Sequence, residues 1–189
     1  MEKENILYIL RNAIKAIKDN DVVLLKDLSN RTVHSSSIQQ DENNITIAVL
    51  VYSLSKIFER SKYQQYKDWK IFYDTCLKSL NKAEESLARD KVEEYNSAIR
   101  NILFFVDKLD SKLKLYIQDV FYRSKINKAS RLYEHGLSIG KTAELLGINE
   151  WEIMDYVGKT GIADAKFSIS KDALERLKIA RSLFEKWNV

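Results

Sequence analysis

Between Glu2 and Asn20, Ile6, Leu7, Leu10, Ala13, Ile14 and Ile17 recur at intervals of three and four, which predicts an amphipathic helix. Asp19, Asn20 and Asp21 close it, and Val22 to Leu28 predicts a short second helix ending at Ser29-Asn30. From Arg31 to Asn44, Thr32, Ser35, Ser36, Ser37, Gln39, Gln40, Asp41 and Asn43 carry side chains that compete with the backbone for hydrogen bonds, so this stretch predicts the main loop. Ile45 to Phe58 is apolar around nearly the whole circumference of a helix, which must be buried at the centre of a bundle or of a dimer. It is shorter than the roughly 20 apolar residues that span a bilayer, and Ser53, Ser55 and Lys56 interrupt it. Helical periods continue over Trp69–Leu87, Val92–Leu109 and Leu113–Tyr133. The last one, Ser170–Trp187, puts Ala173, Leu174, Leu177, Ala180, Phe184 and Trp187 on one face. No strand-like alternation exceeds Ala165–Ile169, so the expected fold class is all-α.

Glycine breaks this pattern in one place. All five glycines, Gly136, Gly140, Gly147, Gly158 and Gly161, fall within 26 residues, and the chain has no proline. Gly147 can take the left-handed conformation that ends a helix. Asn149 with Glu152 three residues later forms a capping-box start for the next one. Ala143, Leu146, Ile148, Ile153 and Tyr156 supply the small and apolar positions of a helix-turn-helix. The expected organisation is a helical bundle over residues 1–125, then a helix-turn-helix domain with a final amphipathic helix over 126–189.

The stretch from Ala129, Leu132 and Tyr133 through Gly136, Leu137, Ser138, Gly140, Lys141 and Ala143 to Gly147 and Ile148 resembles the helix-turn-helix of short prokaryotic antitoxin-like proteins. The likeness covers about 35 of the 189 residues. It implies a DNA-binding or partner-binding module of an archaeal or bacterial regulator. The long N-terminal helical region is a departure from that family.

Charge sharpens the expectation. The formal net charge is +4; residues 1–110 balance at 17 basic and 17 acidic, so the whole excess lies in residues 111–189, with 14 against 10. Lys112, Lys114, Arg123, Lys125, Lys128 and Arg131 face only Asp119, a stripe suited to a phosphate backbone. The expected function is therefore a non-enzymatic DNA-binding regulator, contacting duplex DNA through Arg123, Lys125, Lys128, Arg131, Lys141 and Asn149. Asn149 is the natural base reader on the second helix, whereas Glu150 and Asp155 repel phosphate. Trp151 and Met154 beside those acids suit a protein surface better, so the alternative is an adaptor docking a protein partner through them. The apolar Ile45–Phe58 helix, and the gain from a second copy on DNA, lead to an expected homodimer.

No catalytic residue is expected. Arg31 and His34 loosely resemble the Arg–His motif of the higher eukaryotic and prokaryotic nucleotide-binding ribonucleases, but that motif spaces the pair by four to six residues, and Ser36 stands where it requires histidine. A helical-bundle ribonuclease is the third-ranked function. His135, at a helix end, suits a dipole partner. Two distant histidines and the single Cys76 give no metal-ligand spacing, no glycine loop remains to cradle a phosphate, and no cofactor is expected. Without secretory flanks or a membrane span, the expected location is cytoplasmic.

Overall fold

The computed structural model describes residues 2–39 and 42–160. The expected helix over Ser170–Trp187, the stretch Ala165–Ile169, Gly161 and Asp41 lie outside the described residues. All regular structure among the described residues is helical: α1 (Glu2–Lys18), α2 (Val22–Gln39), α3 (Glu42–Glu59), α4 (Trp69–Ala88), α5 (Val92–Val106), α6 (Ser111–Glu134), α7 (Ile139–Leu146) and α8 (Glu150–Thr160). A short 3-10 turn over Ser61–Gln65 joins α3 to α4. The protein is all-α, and none of its described helices is long and apolar enough to cross a membrane.

α1 buries its apolar stripe against α4 and α2, α2 pairs with α3, α4 with α5, and α3 lies on α6. Polar residues make the sharp turns between these helices. Asn20 and Asp90 take φ of 54° and 60°, left-handed conformations that Asn and Asp tolerate better than other non-glycine residues.

One expectation is corrected here. α2 does not stop at Leu28; it runs on to Gln39 through the stretch expected to be a loop. Packing accounts for the part around Ser29 and Thr32, whose hydroxyls, which would compete with the helix backbone, have acceptors on α3 and within α2. Buried Ser29 donates to the Ala48 carbonyl of α3 at 2.7 Å, and buried Thr32 donates to the Leu28 carbonyl of its own helix at 2.7 Å. Tertiary burial thus outweighs the weak helix propensity of this sequence.

α3 is buried as expected, with Ile47, Val51, Leu54 and Ile57 fully covered, and it is covered by its own chain. Its serines are also buried, Ser53 donating to the Val49 carbonyl and Ser55 to the Tyr52 carbonyl. The apolar circumference of this helix therefore gives no reason for a dimer.

The core has two parts. The larger draws on α1 to α6 up to Phe121. The smaller joins Ala129 and Leu132 of α6, Leu137, Ala143 and Leu146 around α7, and Ile153 and Val157 of α8 to Ile45, Ala48 and Val49 of α3. The expected division at residues 125 and 126 falls inside α6, one continuous helix that serves both parts.

Candidate functional site

The C-terminal three-helix unit places the candidate residues. α6 ends at His135, whose Nδ1 lies 2.7 Å from the Arg131 carbonyl, and Gly136 at φ 95° turns the chain. Ser138 starts α7, its hydroxyl accepting from the Lys141 N–H at 3.2 Å. α7 ends at Gly147, left-handed at φ 60° and ψ 46°, with its N–H directed at the Ala143 and Glu144 carbonyls.

Asn149 then starts α8 with a reciprocal cap. Its side-chain oxygen accepts from the Trp151 N–H at 2.9 Å, and its own N–H donates to Glu152 at 3.0 Å. α6 holds α8 in orientation through two contacts, Tyr122 donating to Glu152 and Asn127 donating to the Tyr156 hydroxyl at 3.2 Å. The hydrogen bond from Tyr122, followed by that from the Asn149 N–H, holds the Glu152 carboxyl below its ordinary range.

With Ile153 and Val157 packed inward, α8 turns Glu150, Trp151, Met154, Asp155 and Lys159 outward. Trp151 is 75% exposed and Met154 46%. Asp155 pairs with Lys159 at 2.6 Å, so this outer face carries an indole and a thioether among charges that sum to one negative.

The expected basic stripe does not assemble. At 100° per residue, Arg123 and Lys125 stand about 200° apart around α6, so they cannot share a face. Arg123 pairs with Asp119 at 2.9 Å, Arg131 with Glu134 at 2.8 Å and Lys141 with Glu144 at 2.9 Å. Lys128 is the clearest correction: it is 1% exposed, folded into the protein where a phosphate backbone cannot reach it. Its ammonium donates to the Asn30 side-chain oxygen at 3.1 Å and lies 4.2 Å from the centroid of the Tyr52 ring. Burial, followed by repulsion from Arg131, pushes its pKa down to about 8.

Arg31 and His34, the pair weighed for catalysis, lie one turn apart on α2. The Arg31 guanidinium reaches the Tyr8 hydroxyl at 3.3 Å and lies 5.1 Å from that ring's centroid, an ordinary surface contact. His34 lies on α2, and its side chain is outside the described ones. Cys76 is fully buried, and burial raises its thiol pKa far above the ordinary range. Among the described residues no group of three or more His, Cys, Asp or Glu side chains could hold a metal ion. No protein-family model, characterised protein or solved structure matches the chain.

Proposed function

We propose that this chain is a non-enzymatic interaction module that docks a protein partner through the outer face of α8. Trp151 carries the proposal. An indole 75% exposed on a helix whose opposite face is packed presents a large apolar surface from a fixed backbone, and its two side-chain torsions keep the ordering cost of binding small. Met154 lies one turn along, adding adaptable apolar surface. Glu150 and Asp155 border them, which suits a partner with an apolar pocket rimmed by Lys or Arg.

A second reading, a DNA-binding regulator, draws support from the tight turn at Gly147 and from Asn149 at the head of α8, where helix-turn-helix proteins present base-reading side chains. The acids on α8 and the paired or buried state of most of the basic residues favour the first reading.

The deciding experiment identifies a partner by affinity capture and titrates it, purified, against wild type and the double variant Trp151→Ala, Met154→Ala. Docking through α8 predicts a loss of about 30-fold or more that salt scarcely changes. An unaltered affinity removes this reading. Duplex DNA titrated in parallel supports the regulator instead if it binds with a steep salt dependence and survives the double substitution.

A further inference from the structure

The α4–α5 hairpin carries a second surface unrelated to α8. A groove of about 830 Å³ runs along it, bordered by Lys78 and Lys82 of α4, Arg100 of α5 and Lys108 just beyond, with Glu93 as its one acid. None of these four cations has an ion-pair partner among the described residues, unlike Arg123, Arg131 and Lys141. Between Arg100 and Lys108 stands Phe104, 72% exposed. Asn101 donates to Ser79 at 2.9 Å between the two helices, beside the apolar Ala98 and Phe105 of the lining.

Helical spacing builds this arrangement. Arg100, Phe104 and Lys108 follow one another at intervals of four, so α5 directs the first two to the same side about 6 Å apart along its axis. Lys78 and Lys82 repeat that interval on α4, and hairpin pairing brings the two rows together. The charge is three positive on balance in the groove, in a half of the chain whose total is zero.

We propose that this groove binds single-stranded nucleic acid. Two facing rows of cations, none within ion-pair distance of an acid among the described residues although Lys82 also acts on nearby Glu94, suit a repeating phosphate backbone, and a phenyl ring standing among them offers a platform for one base. A duplex keeps its base faces stacked and has none to give Phe104. An acidic peptide would use the cations but leave the ring unexplained. The groove lies on different helices from Trp151, so the protein would hold a partner and a nucleic acid strand on separate surfaces.

Fluorescence anisotropy of a short labelled oligouridine with the full chain tests this. Binding is expected at about 50 mM salt, falling steeply as salt rises. The triple variant Lys78→Gln, Lys82→Gln, Arg100→Gln should weaken it about ten-fold or more and flatten the slope of log affinity against log salt by about 2, since each phosphate contact to a single strand contributes about 0.7. Phe104→Ala should weaken binding about ten-fold with the slope unchanged, and Phe104→Trp should restore it. Trp151→Ala should bind as wild type does. The proposal is overturned by no binding at low salt, by tighter binding of a duplex or of a glutamate-rich peptide of equal charge, by a Phe104→Ala variant indistinguishable from wild type, or by loss of binding in Trp151→Ala. Circular dichroism melting of each variant, expected to match wild type because these side chains are on the surface, separates lost binding from lost folding.

Discussion

The Lys128 ammonium lies 4.2 Å from the centroid of the Tyr52 ring, joining α6 to α3 through a buried cation–π contact, and it has no ion pair with a carboxylate among the described residues. Asn30 of α2 accepts a hydrogen bond from it at 3.1 Å. The charge is thus solvated by a ring and an amide in place of water, and its pKa falls from 10.5 to about 8.

That depression sets a pH dependence. Below about pH 8 Lys128 is charged in both the folded and unfolded states, and its burial destabilises the fold by of order 3 kcal/mol. Above that value the folded protein releases the proton while the unfolded chain still holds it, so this contribution to stability improves up to about pH 10.5. Tyr52, and Tyr116 with its pKa raised to about 12, act in the opposite sense above pH 10, where only the unfolded chain ionises them. Urea unfolding should therefore show stability rising from pH 8 toward 10 and then falling. Lys128→Met should abolish the rise and be the more stable protein at pH 7. A flat profile for wild type would show that the ammonium is better solvated than its burial implies.

Gly147 supplies a second measurable strain. A Cβ there would meet nothing within 4 Å, so crowding is not the issue; the issue is φ of 60°. Gly147→Ala should destabilise the protein by about 1 kcal/mol, and Gly147→Asn by less, because Asn enters the left-handed region more readily. Equal stability of all three proteins would mean that the turn rearranges.

How far the sequence foretold these features depends on how local they are. The stripe of α1, the buried circumference of α3, the left-handed Gly147 and the Asn149–Glu152 cap are each written within about one to five turns of helix, and each has the expected form. The continuation of α2 beyond Leu28 was hidden because Ser29 finds its acceptor on α3, 19 residues away. Lys128 was hidden for the same reason, since Asn30 lies 98 residues from it. The α4–α5 groove left a trace in the four-residue spacing of Arg100, Phe104 and Lys108, but the charge count of the N-terminal half, being balanced, concealed it. The exposure of Trp151 and Met154 on α8 agrees with their acidic neighbours in the sequence.

Cys76 provides a probe of the larger core. It is 0% exposed on α4, with a thiol that burial holds protonated. A thiol-specific reagent should react with the native protein only through opening of the bundle, so labelling at pH 7 should be slowed relative to the urea-unfolded chain by several powers of ten. Rapid labelling of the native protein would place α4 among the least stable parts of the fold.

Asn149 has two roles to separate, capping α8 and, in the DNA-binding reading, contacting a base. Its side-chain oxygen is held by the Trp151 N–H at 2.9 Å, and the next residue to benefit from a firm α8 is Trp151 itself. Asn149→Ala removes that acceptor and should destabilise the protein by about 1 kcal/mol. Asn149→Asp keeps an acceptor at the positive end of the helix dipole and should retain wild-type stability within about 0.5 kcal/mol. Trp151→Ala, losing mainly exposed surface, should be as nearly neutral. Chemical denaturation ranks the three. If partner binding falls with Trp151→Ala and persists with Asn149→Asp, the indole is the contact and the asparagine its support; a partner lost in Asn149→Asp but retained in Trp151→Ala would reverse those roles.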